Sequence, residues 1–253
     1  MLNWFLMAGG PERFNGHQAI YHPYSGLYLD FEGGEGSGKT TQAELLQRRM
    51  KESGLEYVAV REPGGTVIGI ELRGMLLTRE AMQPTAITEA YLFAADRAQL
   101  IGEKIIPALQ AGYIVGSDRC VLSSVAHQGY AQGLGSDVVW AVNRVALQGV
   151  LPDRVILLNI EPEEGLRRRQ ESRGELNKID RRAQEYHRKV YEAYLAMVQE
   201  DPRRWYVVDA TLPKEEQNEI IFDLILHELQ EKAARVAGLA YARNPSLLLR
   251  MTT

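Results

Sequence analysis

Residues Gly33 to Thr40 read Gly-Gly-Glu-Gly-Ser-Gly-Lys-Thr, a G-x-x-x-x-G-K-T array followed at once by Thr41. Residue frequencies give such a match by chance in roughly one chain of this length in a hundred. Glycine lets the main chain come close to phosphate oxygens. Successive N–H groups at the start of a helix then form a concave anion cradle. In that cradle Gly33, Gly34, Glu35, Gly36, Ser37, Gly38, Lys39, Thr40 and Thr41 would hold a nucleoside triphosphate. Lys39 would reach the β and γ phosphates as a mobile point charge, and the Thr40 hydroxyl would ligate Mg²⁺. The competing reading is a glycine-rich turn carrying a solvated lysine. Glu35 is odd in either case, because it sets a negative charge beside the phosphates.

The surrounding pattern supplies what the cradle needs. Short β-branched or aromatic runs alternate with longer helical ones from Leu27 onward, the signature of a parallel sheet with crossover helices. Strands are expected near Leu27–Glu32, Tyr57–Arg61, Tyr113–Ser117, Arg154–Ile160 and Trp205–Asp209. Helices are expected over Lys39 to about Ser53, Thr88 to about Gln110, Ser136 to about Gln148, a long charged region from about Pro162 to Glu200, and Lys214 to about Val236. The glycine array therefore lies between the first strand and the first helix. The expected fold is α/β, a three-layer P-loop NTPase arrangement with a five-stranded parallel sheet flanked by helices.

Of 253 residues, 45% are hydrophobic and 25% charged, an ordinary composition for one folded domain. The formal net charge of −4 argues against a nucleic-acid polymer as partner. The single cysteine, Cys120, excludes an intrachain disulfide and a cysteine-cluster metal site, and the cytoplasm is the default compartment. No apolar run approaches the ~20 residues that cross a bilayer, so no membrane partner is expected. Residues 1–26 read as an N-terminal extension, 27–236 as the P-loop domain and 237–253 as a tail.

A P-loop does not say where the γ-phosphate goes. Four further segments bear on that: Arg61-Glu62-Pro63-Gly64-Gly65-Thr66; Phe93-Ala94-Ala95-Asp96-Arg97; Asp118-Arg119 with Ser123-Ser124 and His127-Gln128-Gly129; and Arg167-Arg168-Arg169 with Arg173-Gly174-Glu175-Leu176. Phe93 and Arg97 are four apart and share a helix face, where a ring and a guanidinium could stack on a base and donate to its carbonyl edge. Equally, Phe93 could be core and Arg97 the partner of Glu89 or Asp96. Asp118-Arg119 closes an apolar run, at the carboxyl edge of a parallel strand where ligands bind. There a carboxylate can hold a magnesium water and an arginine can grip phosphate.

In order and spacing these segments, with the P-loop, resemble the bacterial thymidylate kinase family over about Leu27 to Leu229. The resemblance implies transfer of the ATP γ-phosphate to dTMP, with ATP and Mg²⁺ as cofactors and a homodimer as the common assembly. It implies thymine stacked on Phe93, with Arg97, Ser124 and Gln128 at the base edge. Arg119 and Arg73 would take the acceptor's 5′-phosphate, and Glu35 its sugar 3′-hydroxyl or the nearby arginines. Lys39, Arg119, Arg173 and Asp118 would form the catalytic set, Thr40 and Asp118 the metal set. Arg168, Arg169, Arg173 and Lys178 look like a lid, with Arg173 first among them because it matches the family's Arg-Gly step.

The chain departs from the family at Cys120, where an aromatic or histidine is commoner, and at Asn177-Lys178 and Asn159. His127 replaces a tyrosine that the family sets against the deoxyribose. Imidazole is smaller than phenol, and the difference either leaves room for a 2′-hydroxyl or fills with a water. The alternatives to a dTMP kinase are a kinase for another pyrimidine nucleotide or nucleoside, and a non-catalytic nucleotide-binding module.

Overall fold

A computed structural model describes residues 22–171 and 177–243, with the side chains of 235–243 excepted. Five strands, β1 Leu27–Glu32, β2 Tyr57–Arg61, β3 Ile114–Asp118, β4 Arg154–Asn159 and β5 Trp205–Asp209, form one sheet in the order β2-β3-β1-β4-β5. Every pairing is parallel. Each lies within a residue of the strand expected from the sequence. All six residues of β1 are buried, as a central parallel strand covered on both faces demands.

Alternation along β1 assigns its side chains to two cores. Leu27, Leu29 and Phe31 pack with Leu46 and Met50 of α1 (Lys39–Glu52) and with Ile221, Phe222 and Ile225 of a C-terminal helix. Tyr28 lies in the other core, with residues of the helices on the opposite face. Those helices are α3 Ala86–Leu100, α4 Ile106–Gln110, α5 Val121–Ser124, α6 Ser136–Asn143 and α8 Gln184–Glu200; α2 Val67–Arg73 and α7 Pro162–Glu171 complete the helices that precede the C-terminal α9 Lys214–Arg243. Three layers result.

The helices differ from expectation in ways with local causes. The run expected from Thr88 to Gln110 starts earlier, at Ala86, with Thr85 accepting from the Thr88 N–H. A π-helical turn over Ile101–Ile105 interrupts it before Pro107, which has no N–H to continue the ladder. The helix from Ser136 stops at Asn143, whose side-chain amide donates to Val139 O and competes with the regular pattern. Gly135, in a positive-φ conformation, precedes it in place of a Ser136 side-chain cap. The region from Pro162 to Glu200 is two helices, α7 and α8, and α9 runs on to Arg243. Two further helical segments escape the sequence pattern, α2 and the short α5 with its π-helical continuation Val125–Ala131.

The strand ends are laced together at one edge. Arg119 N–H donates to Phe31 O at 3.1 Å and Glu62 N–H to Asp118 O at 3.0 Å. The register pairs Phe31 and Arg61 with Asp118 on either side. This brings the loops after β1, β2 and β3 together beside the place where the connections reverse direction along the sheet. At the opposite edge Asp153 accepts from Tyr28 N–H (2.8 Å) and from Lys232 Nζ (2.9 Å), and lies 2.9 Å from His22 Nε2. That cluster ties residues 22–26 and α9 to the sheet. Burial would push the Asp153 carboxyl up, but the His22 bond and the Lys232 charge hold it down.

Asp153→Ala removes a buried acceptor shared by three donors, so urea unfolding should show a loss of about 2–4 kcal/mol. A midpoint shift indistinguishable from a surface substitution would show that the cluster contributes little.

Candidate active site

The loop between β1 and α1 turns on glycines that the geometry requires. Gly36 has φ +71°, and a Cβ there would lie 1.9 Å from Gly165 O of α7. A Cβ on Gly165 would in turn lie 2.3 Å from Glu35 O. The loop thus rests directly on the main chain of the helix that leads toward the expected lid. Gly38, with φ 93°, starts α1 without a side-chain cap, so its first N–H groups are free to face an anion.

Lys39 folds back over this loop. Its Nζ donates to Gly33 O and Gly34 O, both at 2.9 Å, and to Ser37 Oγ at 3.2 Å. Burial, and then the charge of Arg119, bring its pKa down to about 8. Thr40 Oγ1 donates to Asp118 Oδ2 at 3.3 Å. Two hard oxygen donors, one from the first turn of α1 and one from the end of β3, therefore meet at the cradle's edge, a donor set suited to Mg²⁺.

Arg119 crosses from β3 to the loop. A positive φ of 77° turns its backbone, and its guanidinium donates to Glu35 Oε1 (2.8 Å), Ser123 Oγ (3.1 Å) and Gly33 O (3.4 Å). Burial alone would raise the Glu35 carboxyl, but Arg119 and then Lys39 outweigh it and hold it at about 2. The pair's contribution to stability is thus fully present above the ordinary glutamate pKa and is lost only as pH falls toward 2. Behind Arg119, the buried Glu32 accepts from Ser123 Oγ (2.6 Å), Tyr194 OH (2.7 Å) and Cys120 N–H (3.2 Å).

Phe93 and Arg97 are on one face of α3, and both line the same cleft as the P-loop. Arg97 is 1% exposed and is paired with neither Glu89 nor Asp96. It meets Glu62 Oε2 at 2.7 Å, Cys120 O at 3.1 Å, Ser124 Oγ at 3.2 Å and the side-chain Oδ1 of Asn143. Burial pushes Glu62 up to about 7, against the pull of Arg97. Gln128 donates to Glu89 Oε1 at 2.7 Å, while its amide oxygen is buried without a partner. His127 is buried; desolvation and then Arg119 push its imidazole well below the usual range, so it is neutral. Half-buried Arg73, from α2, donates to Pro63 O at 2.9 Å.

These residues surround one cleft of about 460 Å³. Glu35, Gly36, Ser37, Gly38, Lys39, Thr40 and Thr41 form one wall, and Arg73, Phe93, Arg97, Asp118, Arg119, Ser124, His127 and Gln128 are among the residues that line the others. Gly33 and Gly34 meet it through their carbonyls on Lys39. Arg168 and Arg169 line its rim, Arg168 on Glu164 and Ala210 O and Arg169 on Asp180. Lys178 does not line the cleft in this structure. Its Nζ donates to Met75 O, Arg79 O and Met82 O, fastening the segment after the expected lid to the turn that follows α2. Arg173 lies outside the described residues.

The thymidylate kinase family model matches residues 31–221, three quarters of the chain. The chain belongs to the thymidylate kinase family. Among curated thymidylate kinases it is 44% identical to that of Bacillus velezensis over 193 residues, which cover 76% of this chain and 91% of the relative. It is 40% identical to that of Bacillus pumilus over 208 residues, 82% of this chain and 98% of the relative. A crystal structure of thymidylate kinase from Ehrlichia chaffeensis superposes with a TM-score of 0.65, at 24% identity, over 81% of this chain and all of the other. The superposition supports the α/β P-loop architecture.

Sequence reasoning missed the residues that hold these groups from behind. Glu32, Glu62, Glu89 and Asn143 fix the arginines and Gln128. Glu62 stood within a motif already noticed and Glu89 had been weighed only as a partner of Arg97, while Asn143 had no signal beyond being polar on a helix. Gly165→Ala forces a methyl against Glu35 O, so a fall in stability of about 1–3 kcal/mol and a several-fold rise in KM for the triphosphate are expected. Unchanged kinetics would mean that the loop does not depend on this contact.

Proposed function

We propose that this chain transfers the γ-phosphoryl group of ATP to dTMP, giving dTDP for deoxynucleotide biosynthesis. The observation that carries this reading is one cleft in which Arg119 and Arg73 join Lys39 and the P-loop amides, beside an aromatic and polar recess. A simple triphosphate hydrolase needs only Lys39 and the P-loop.

The recess suits a pyrimidine whose N–H lies between two carbonyls. Arg97 and Ser124 bring donors, the partnerless Gln128 oxygen is an acceptor, and Phe93 offers a ring face. Glu35 and His127 complete the cleft wall on the side of the acceptor's sugar.

The mechanism is positioning and charge stabilisation. The main-chain amides and Lys39 bind the donor's β and γ phosphates; to do so Lys39 exchanges the carbonyls of Gly33 and Gly34 for phosphate oxygens. Arg119 and Arg73 hold the acceptor phosphate in line. Arg173, with Arg168 and Arg169, closes the rim and excludes water. Thr40 and Asp118 would hold Mg²⁺, which when bound neutralises phosphate charge. The acceptor phosphate is already ionised at neutral pH, so no protein base or covalent intermediate is required.

The chain acts in the cytoplasm as a homodimer. Adjacent helices α2 and α3 leave Val67, Ile68, Ile70 and Tyr91 more than half exposed, an apolar face that supports the dimer; no helix among the described residues is long and apolar enough to cross a membrane. The kinase domain reaches beyond the expected 27–236: residues 22–26 are tied to the sheet through Asp153 and Lys232, and α9 runs on to Arg243.

ADP release with ATP, Mg²⁺ and each pyrimidine monophosphate should show dTMP preferred, with Lys39→Ala at least about a hundredfold slower in kcat. Equal use of several pyrimidines would favour a broad kinase, and nucleotide binding without transfer would favour a binding module. The free enzyme needs Lys39 charged, so kcat/KM for ATP should fall as pH rises through about 8. A profile flat to pH well above this would contradict that role.

A further inference from the structure

Behind the polar recess, N–H groups from three side chains converge on one buried carboxylate. Glu89 of α3 accepts at Oε1 from Gln128 Nε2 (2.7 Å) and Gln132 Nε2 (2.6 Å), and at Oε2 from the Arg182 guanidinium (2.8 Å). The donors come from the π-helical turn Val125–Ala131, from the residue that follows it, and from the segment just before α8. Arg182, which also lies 4.5 Å over the Tyr186 ring, supplies the cation that a buried carboxylate needs. Of these four residues Gln128 alone lines the main cleft. Whatever Glu89 does to a ligand there, it does through Gln128.

A carboxylate paired with a guanidinium accepts and does not donate. It therefore decides which way the Gln128 amide is turned. With the NH₂ toward Glu89 a hydrogen bond forms; with the amide turned over, two oxygens would face each other at 2.7 Å and the NH₂ would lose its charged partner. What Gln128 has left to offer is Oε1, which is buried without a partner. Arg97, held by Glu62, likewise keeps one buried donor without a partner, Nε. Thymine and uracil present a ring N–H beside a carbonyl, whereas cytosine presents at the same two places a ring nitrogen lone pair and an amino group. A leftover acceptor with a leftover donor matches the first pattern and opposes the second.

We propose that Glu89 is a positioning residue for base selection: by holding the NH₂ of Gln128 it commits the Gln128 oxygen to the ring N–H of the acceptor base, and so sets a preference for thymine or uracil over cytosine. Gln132 and Arg182 hold the same carboxylate in place, so the orientation exists before a base enters. The kinetic consequence rests on the dTMP reading above; the amide orientation does not.

Neutron diffraction from the full, unliganded, deuterated chain should place two deuterons on the Gln128 atom that faces Glu89. Glu89→Gln keeps the shape but can both donate and accept, which frees the Gln128 amide to turn. That variant should raise the dTMP KM about tenfold with kcat within about twofold, and should lower the preference for dTMP over dCMP in kcat/KM at least about tenfold. Glu89→Asp keeps a group that only accepts, and should retain the preference even where its KM rises. A Gln128 oxygen facing Glu89 in the neutron map overturns the proposal. So does a Glu89→Gln enzyme whose preference is unchanged, or that loses activity equally on both substrates, which is the behaviour of a merely structural tie. A wild-type chain with no preference for dTMP over dCMP would refute the base-selection role and the dTMP reading together, and the map would still decide the orientation.

Discussion

The guanidinium of Arg119 joins the end of β3 to the loop after β1, donating to Glu35, Ser123 and Gly33 O at once. A cation at this spot would ordinarily be repelled by the nearby Lys39 and penalised by burial. Both costs are offset by carboxylates supplied from β1 and the P-loop, Glu32 and Glu35. The negative charge that looked misplaced in a phosphate cradle is the counterion that lets two cations occupy one cleft. Its carboxyl, held at about 2, remains charged through the whole working range.

The same balance recurs a layer deeper. Arg97 sits on Glu62, and Gln128 on Glu89, which also binds Arg182. Each ligand-facing group is thereby anchored by a partner on a different element, so its orientation is set before a ligand arrives. Lys39 differs, because its partners are main-chain carbonyls of its own loop. Exchanging these for phosphate oxygens takes little rearrangement, which suits a residue that follows a moving charge.

Strands were legible because a buried parallel strand needs a run rich in apolar residues: Val155 to Leu158 is unbroken, and Leu27 to Phe31 is interrupted by Asp30 alone. The P-loop was legible because only glycines satisfy its contacts, as Gly36 against Gly165 illustrates. Helix ends were less so: the stop at Asn143 depends on a side-chain bond, and the π turn before Pro107 on a missing one. The residues behind the site were not legible at all. The competing reading of Arg97 paired it with Glu89 or Asp96 on its own helix, yet its partner is Glu62 from the loop after β2. Such a partner is fixed by the sheet register, which brings Arg61 opposite Asp118, and no local spacing encodes it. Lys178, an apparent lid cation, is likewise consumed by three carbonyls about a hundred residues earlier in the chain.

The most direct measurement is a crystal structure of the chain with an inhibitor joining adenosine and thymidine through a phosphate chain. The account predicts Lys39 Nζ on the donor-side phosphates and no longer on Gly33 O and Gly34 O, Arg119 and Arg73 on the thymidine-side phosphate, and thymine against Phe93. A thymidine half lodged outside this cleft, or Arg119 bound to Glu35 alone with no phosphate in reach, would contradict it.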